Sequence, residues 1–407
     1  MNAAWLIEKL EELSQFGRRE TGVTRLAFSK EDELAREFIL HQMQEIGLNI
    51  KIDGFGNIFG RLEGTHPELP PVATGSHMDS VPDGGKYDGP VGVIAALAAI
   101  RELKARGPLT SPVEMIVFSA EESSRFGYAT MGSKVIAGTA DLTAWQKVTD
   151  AKGITLPEAL TSCGFDFTQL LEARRNPGEW KAFIELHIEQ GPVLDLEKIQ
   201  IGIVTGIAGP TRLRLNITGV ANHSGTTPMN CRHDACVSAA QIILAVRQAA
   251  CKEMKHGTVG TVGSVRVTPG VMNVVPGFAE VLIDIRGVDY PSIERVVAEV
   301  RDAVKQTTID EGTTIDIKLL SADYPVALDS NVQSMIERSC KQLGLTYRHM
   351  PSGAGHDAMN LAKLMPTGMI FIPCRDGISH NNAEYAAPEH IEAGAAVLLE
   401  TLYSLAK

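Results

Sequence analysis

Residues 72–106 read VATGSHMDSVPDGGKYDGPVGVIAALAAIRELKAR, and this stretch decides the fold. An apolar run over 72–76 leads into a glycine-rich polar loop carrying His77, Asp79 and Asp88. An alanine-rich helical run over 91–106, closed by Gly107, follows. Strand, loop and helix in that order form one crossover unit of an α/β layer fold. Outward from it, helical periodicity covers 2–16 and 30–46, the second stopped by Gly47, a suitable C-cap. Short strands are expected over 48–53 and 57–62. Buried-strand patterns over 113–119 and 182–186 deliver the pair Glu121 and Glu122, and then His187, at their carboxyl ends. Ligands of open α/β sheets gather at the carboxyl ends of strands. The expected fold is therefore α/β, with helices flanking a central, mostly parallel sheet.

The texture changes near Gly209. Strand-like 212–218, helical 234–253, strands over 258–267 and 279–286, helical 292–311 and strand-like 314–320 give a β-α-β-β-α-β order, the ferredoxin-like pattern. Beyond Asp323 the helix-strand-helix rhythm returns with His356 and His380. The expected organisation is a first domain over 1–208 and 324–407, interrupted by a smaller α+β domain over 209–323. The segment GNIFGRLEG (56–64) lacks both the phosphate-loop lysine and the dinucleotide spacing, so nucleotide binding is not expected.

Composition excludes several classes. The 407 residues are 44% hydrophobic and 21% charged, and 38 basic against 49 acidic residues leave a formal charge of −11. No basic footprint marks a nucleic acid or an anionic membrane as a partner. No apolar run reaches the length of a membrane span, and the opening MNAAWLIEKLEELSQFG reads as an amphipathic helix, not a signal peptide, so the cytoplasm is the expected location. Six scattered cysteines include no CxxC pair and read as free thiols. Cys374, near His380, reads as a buried strand-end thiol ahead of a nucleophile.

The chemistry sits in four segments: GSHMDSVPDGGKYDGPVG (75–92), SAEESSRFG (119–127), ELHIEQG (185–191) and GISHNNAE (377–384). His77, Asp88, the Glu121-Glu122 pair, His187 and His380 are the ligand mixture of a two-metal hydrolase, suiting zinc or manganese and also cobalt or nickel. Asp79 is placed to hold the other ring nitrogen of His77. Adjacent side chains on an extended strand point to opposite faces, so Glu121 and Glu122 imply a turn or a division of labour. One binds metal and the other takes a proton from water. Singly, each histidine reads as a satisfied structural group and Glu-Glu as a solvated pair; the combination carries the inference. His41, His66, His256 and His349 read as helix face or surface loop, and His233 as flanking the helix from Asp234. GVANHSGTTPMNCRHDA (219–235) places His223 in a polar loop, and GAGHDAMNLA (353–362) places Gly355 and His356 at a helix start, where N–H groups favour an anion. Arg286, ending VLIDIR, and Asn273, in GVMNVVP, are placed to grip a carboxylate, against a surface ion pair for Arg286.

In order, GSHMDSVPDGGKYDGPVGV, AEESSRFG, GSK, ELHIEQGPVL, HSGTTPM, NVVPG, SGAGHDA and IFIPCRDGISHNNAEY resemble the hydantoinase/carbamoylase family of amidases, a branch of the aminoacylase-like dinuclear metallohydrolases. The resemblance runs from about Val23 to the C-terminus. It implies two divalent ions per subunit bound by His77, Asp88 (bridging), Glu122, His187 and His380, with Glu121 as general base. It implies that His223 stabilises the tetrahedral intermediate, commonly from the neighbouring subunit of a homodimer formed through a ferredoxin-like lid. Gln190, Asn273, Arg286 and the Gly355-His356 loop match substrate-contacting positions. The implied reaction is metal-dependent hydrolysis of the carbamoyl C–N bond of an N-carbamoyl-L-amino acid or of allantoate, releasing ammonia and carbon dioxide. Two positions depart: Ser123 stands where many members have Gly, and Arg212 where several carbamoylases have an aromatic residue. Arg212 suits a substrate with an extra polar arm; the plain alternative is an exposed strand charge. The rivals are a metallo-aminoacylase or peptidase with the same metals, and an inactive two-domain solute-binding protein.

Overall fold

The computed structural model describes residues 3–407, so the expected helix start at Asn2 lies outside the described residues. Contacts divide the chain into two compact units: one runs to Thr205 and resumes at Leu328, and the other is Gly206–Ala327. The strand Ile201–Ile207 crosses the first boundary, and Gly206 and Ile207 pair with Ala327 and Val326, which puts the boundaries a few residues outside 209 and 323.

In the first unit a sheet runs, by hydrogen-bonded neighbours, through Ile201–Ile207, Thr367–Ile372, Ala182–Ile188, Val72–His77, Val113–Phe118, Ile58–Leu62 and Asn49–Ile52, with Tyr347–Ser352 also on Ile201–Ile207. The middle four are parallel, and the strands flanking them pair antiparallel. The sheet is thus mixed, with a parallel centre. Three of the central strands, Val72–His77, Ala182–Ile188 and Thr367–Ile372, are buried along their whole length, with the polar side chains of Ser76, His77, Glu185 and His187 among their apolar residues. Helix Pro90–Arg106 is buried all round from Pro90 to Ile100. Its small residues let it pack closely against the helix Pro388–Ala406 and the sheet. Helix Lys30–Ile46 has Ser29 as its N-cap and ends at Gly47 in the left-handed conformation.

The second unit is β-α-β-β-α-β. Its antiparallel sheet has the order Val259–Thr268, Phe278–Gly287, Gly209–Thr218, Thr314–Ala322. Helices Ala235–Lys252 and Tyr290–Glu311 bury Leu213, Leu215, Ile217, Val281, Ile283 and Ile285 on one face of it. The alternating partners Arg212, Arg214, Asp284 and Arg286 lie on the other face, the period of two expected of a half-buried sheet.

Candidate metal centre

Three neighbouring parallel strands deliver the site at their carboxyl ends. His77 ends one strand and His187 lies one residue before the end of another, with ring centroids 5.8 Å apart. The third strand stops at Phe118, and Ala120, at φ +54°, turns the chain before Glu121. That left-handed residue supplies the turn which lets two adjacent glutamates serve one centre. The loop is then fixed by hydrogen bonds from the N–H groups of Thr130, Met131 and Gly132 to the carbonyls of Glu121, Ala120 and Ser119. His380 is itself left-handed, at φ +54°, and Gln190 at +57°. Backbone held this way against its preference marks positions that the surroundings dictate.

Asp88 lies at the centre of the group. Its Oδ1 is 3.1 Å from His187 Nε2 and 3.6 Å from His77 Nε2, and its Oδ2 is 3.1 Å from His380 Nε2. His380 Nε2 is also 3.3 Å from Glu122 Oε1. Two sets of donors therefore converge and share Asp88: His77, Asp88, His187 and Asp88, Glu122, His380. Glu121 Oε2 stands 3.8 Å from His77 Nε2. Gln190 donates to Asp88 Oδ2 at 2.7 Å.

The donor set suits divalent cations, and the hydrogen bonds argue the same. His77 Nδ1 donates to the Asp79 carbonyl at 3.0 Å and His187 Nδ1 to the Ile188 carbonyl at 2.9 Å. A carbonyl only accepts, so in each neutral ring Nε2 carries the lone pair, and it faces a carboxylate. Buried His187 Nε2 has no aligned hydrogen-bond partner. An Nε2 3.1 Å from an anionic oxygen calls for a positive charge between them, which a proton supplies in the metal-free site and a divalent cation would supply in the loaded one. Charge strain points the same way in the metal-free site. Burial opposes ionisation of Asp88, yet His187, His380 and His77 hold it well below the carboxylate range. Burial, with Glu122, Asp357 and Asp79 nearby, pushes Glu121 well above that range, partly offset by His77. Asp88 and Glu122 raise His380 to about 10.

Other sequence-derived positions fall as follows. The Asp79 carboxylate does not take the His77 ring nitrogen; its Oδ1 is 3.6 Å away. It accepts the backbone N–H groups of Glu121 at 3.1 Å and Glu122 at 3.0 Å, and the ring goes to the Asp79 carbonyl instead. His356 is buried, its ring centroid 4.6 Å from that of His187 and its Nε2 2.9 Å from Ser352 Oγ. The helix it was expected to open is only Ala358–Leu361, and the Ala358 N–H donates to Glu185 at 3.0 Å. An internal carboxylate thus occupies that helix start, while Gly355 is exposed. Glu185 also accepts from Ser76 at 2.8 Å, so the further grouping Glu185, His187, His356 is already largely hydrogen-bonded.

In the second unit, Asn222–His223 pairs with Val274–Val275, and Ser224 N–H donates to the Asn273 carbonyl, bringing His223 and Asn273 together. His223 Nδ1 accepts N–H groups from Gly225 at 3.0 Å and Thr226 at 3.3 Å, which puts the ring proton on an exposed Nε2. Arg286 holds Asp284 through Nε at 3.0 Å and Nη2 at 2.9 Å, and Arg212 Nε reaches the same carboxylate at 3.3 Å. His233 binds the Glu311 carbonyl at a helix end. Cys374 is a buried thiol donating to the Ile378 carbonyl, pushed by burial to about 12, which is no poise for a nucleophile.

Sequence reading missed Glu384. It accepts the N–H groups of Tyr87 at 2.9 Å and Asp88 at 3.1 Å and the Ser379 hydroxyl at 2.9 Å, and so holds the Asp88 backbone in place. The signal was an acid four residues after His380.

Residues 73–404 match the model of peptidase family M20/M25/M40. An N-carbamoyl-L-amino acid amidohydrolase of Geobacillus stearothermophilus is 40% identical over 99% of this chain and 97% of its own length. The allantoate amidohydrolase of Escherichia coli K12 is 37% identical over 98% and 97%. The crystal structure of a hydantoinase/carbamoylase family amidase from Burkholderia multivorans superposes with a TM-score of 0.93 at 36% identity, covering 100% of this chain and 98% of that one. With likeness of this extent, the chain belongs to the peptidase M20/M25/M40 family, in its hydantoinase/carbamoylase amidase branch.

Proposed function

We propose that this protein is a metal-dependent amidohydrolase cleaving the carbamoyl C–N bond of a small ureido carboxylate, an N-carbamoyl-L-amino acid or allantoate. The observation that carries the reading is the pair of donor sets sharing Asp88, with buried Glu121 alongside. His77, Asp88 and His187 would hold one divalent ion, and Asp88, Glu122 and His380 the second; zinc, manganese, cobalt and nickel all suit the set. Such ions supply Lewis acidity and acidify water when bound. Glu121 takes the proton of the attacking water, helped by a carboxylate raised above its usual range, and returns it to the leaving nitrogen. His223, its Nε2 proton exposed, donates to the oxyanion of the tetrahedral intermediate, with Asn273, Arg286, Arg212 and Gln190 contacting substrate. Gly355, next to His356 in the chain, would contact substrate, and buried His356 supports the His187 ring.

Ammonia release from a panel of N-carbamoyl-L-amino acids and allantoate, set beside amino acid release from N-acetyl-amino acids and dipeptides, tests the reading. Activity confined to the second group makes the protein an aminoacylase or peptidase. No turnover of either, with retained ligand binding, makes it a solute-binding protein. We place the protein in the cytoplasm as a homodimer built through the second unit. There Val237 and Leu244 of one helix and Val259 and Val265 of the adjoining edge strand are exposed. Light scattering should give twice 43.8 kDa, and a monomer mass refutes the dimer.

A further inference from the structure

The segment TGVTRLAFS (21–29) carries a charged residue that the catalytic reading leaves unused. Arg25 is only 1% exposed. Its Nε donates to the Met78 carbonyl at 2.6 Å, and its Nη1 to the carbonyls of Leu13 at 2.9 Å and Phe16 at 2.8 Å, at the end of helix Ala3–Gln15. The backbone around it is clasped to the metal loop. Arg25 N–H donates to Ser80 Oγ, Ser80 N–H to the Arg25 carbonyl, and Val23 and Gly84 exchange both N–H···O bonds at 2.9 Å. A buried guanidinium of this kind remains a cation at neutral pH: burial brings it down only to about 10, with Asp32 and Asp79 opposing.

Met78 lies between His77 and Asp79, so Arg25 grips the peptide joining the two. That peptide's neighbour does two jobs. The Asp79 carbonyl fixes the His77 ring through Nδ1, and the Asp79 carboxylate holds the N–H groups of Glu121 and Glu122. The Met78 carbonyl that Arg25 holds belongs to the peptide bond of Asp79, so the grip fixes the backbone from which both contacts are made.

We propose that Arg25 is a positioning residue. By gripping the Met78 carbonyl, it sets the geometry in which His77 presents Nε2 and Glu121 and Glu122 stand together. The proposal rests on the metal-hydrolase reading, but metal titration tests it without any substrate.

Arg25→Met removes charge and fork together; Arg25→Lys keeps the charge but cannot reach three carbonyls and is the variant to use if Arg25→Met does not fold. Manganese binding by calorimetry should weaken about tenfold in either, within the range lost when a group supporting a metal ligand is removed. In a cycle with Asp79→Asn, the loss in the double variant should be smaller than the sum of the two single losses, because both residues act on the loop that carries Glu121 and Glu122. On whichever ureido acid the native enzyme turns over, kcat should fall with KM unchanged. Native metal affinity in the lysine variant, with only the melting temperature of the stripped protein lowered, overturns the proposal, as do losses that add in the cycle. If the native enzyme turns over no ureido acid, the substrate assignment fails, and the metal arm still decides the role of Arg25.

Discussion

Glu121→Gln separates proton transfer from metal binding. The amide has the shape of the carboxylate, and the Glu121 backbone is held by Asp79 and by the Thr130 N–H, so the loop should keep its form. The side chain stops 3.8 Å from His77 Nε2, and Glu121 belongs to neither donor set around Asp88. Loss of a positioned general base costs about 10²–10⁴ in kcat, which at 1.36 kcal/mol per decade is about 3–5 kcal/mol of transition-state stabilisation. Stability should move the other way. Burial and neighbouring acids raise Glu121 above its usual range, so ionising it costs stability in the stripped protein, and a neutral amide should raise the melting temperature of that protein. The assays are ammonia release under saturating substrate, metal content by plasma emission and thermal melting. A kcat within about threefold of native refutes the base assignment, and loss of metal as complete as in His380→Ala would make Glu121 a ligand.

Gly89 sits at φ +80°, and a Cβ there would lie 2.4 Å from the His77 ring; Gly89→Ala should abolish metal binding and lower stability, and native metal content would count against the placement of His77. Cys340 and Cys374 are buried thiols pushed to about 12, whereas Cys231, Cys236 and Cys251 are exposed. Iodoacetamide at about pH 8 should therefore label the latter three and spare the former two by mass spectrometry; early labelling of Cys374 would contradict its burial. In the metal-free protein, Asp88 and Glu122 raise His380 from 6.5 to about 10, so its contribution to stability is complete below 6.5 and fades as pH climbs toward 10. Burial raises Glu384 from 4.5 to about 7 and Asp357 from 3.8 to about 8, and their contributions too are lost as pH rises through those values. The melting temperature of EDTA-treated protein should fall between about pH 5 and 9, and manganese should reverse the loss because cations replace the displaced protons; a stripped protein that gains stability over that range refutes the account.

Much of the site was legible because it lies in short local patterns. His77, Glu121 with Glu122, and His187 each follow an apolar run at its carboxyl end, and such runs announce strands without any tertiary information. The β-α-β-β-α-β order of the second unit was legible for the same reason, since its strands alternate and its helices carry one apolar stripe. What escaped was fixed by partners distant in sequence. Asp79 binds N–H groups 42 and 43 residues on, and Glu384 binds N–H groups 297 and 296 residues back. No local period encodes such pairings. His356 was misjudged because a glycine-rich helix start looks open to an anion until Glu185, 173 residues away, is seen on the Ala358 N–H. The antiparallel flanks of the sheet were likewise hidden, because the apolar pattern of a short strand such as Ile58–Leu62 reads the same in either direction.

On the proposed reading, His77, Asp88, Glu122, His187 and His380 would hold two cations beside Glu121, and hydrolysis of a ureido C–N bond would depend on both. Manganese titrated into EDTA-stripped protein, with ammonia release from an N-carbamoyl-L-amino acid or allantoate followed at each addition, tests it most directly. The account predicts no ammonia from the stripped protein and a plateau at about two equivalents per chain, as a two-metal site requires. A plateau at about one equivalent, or ammonia release indifferent to metal, would contradict it.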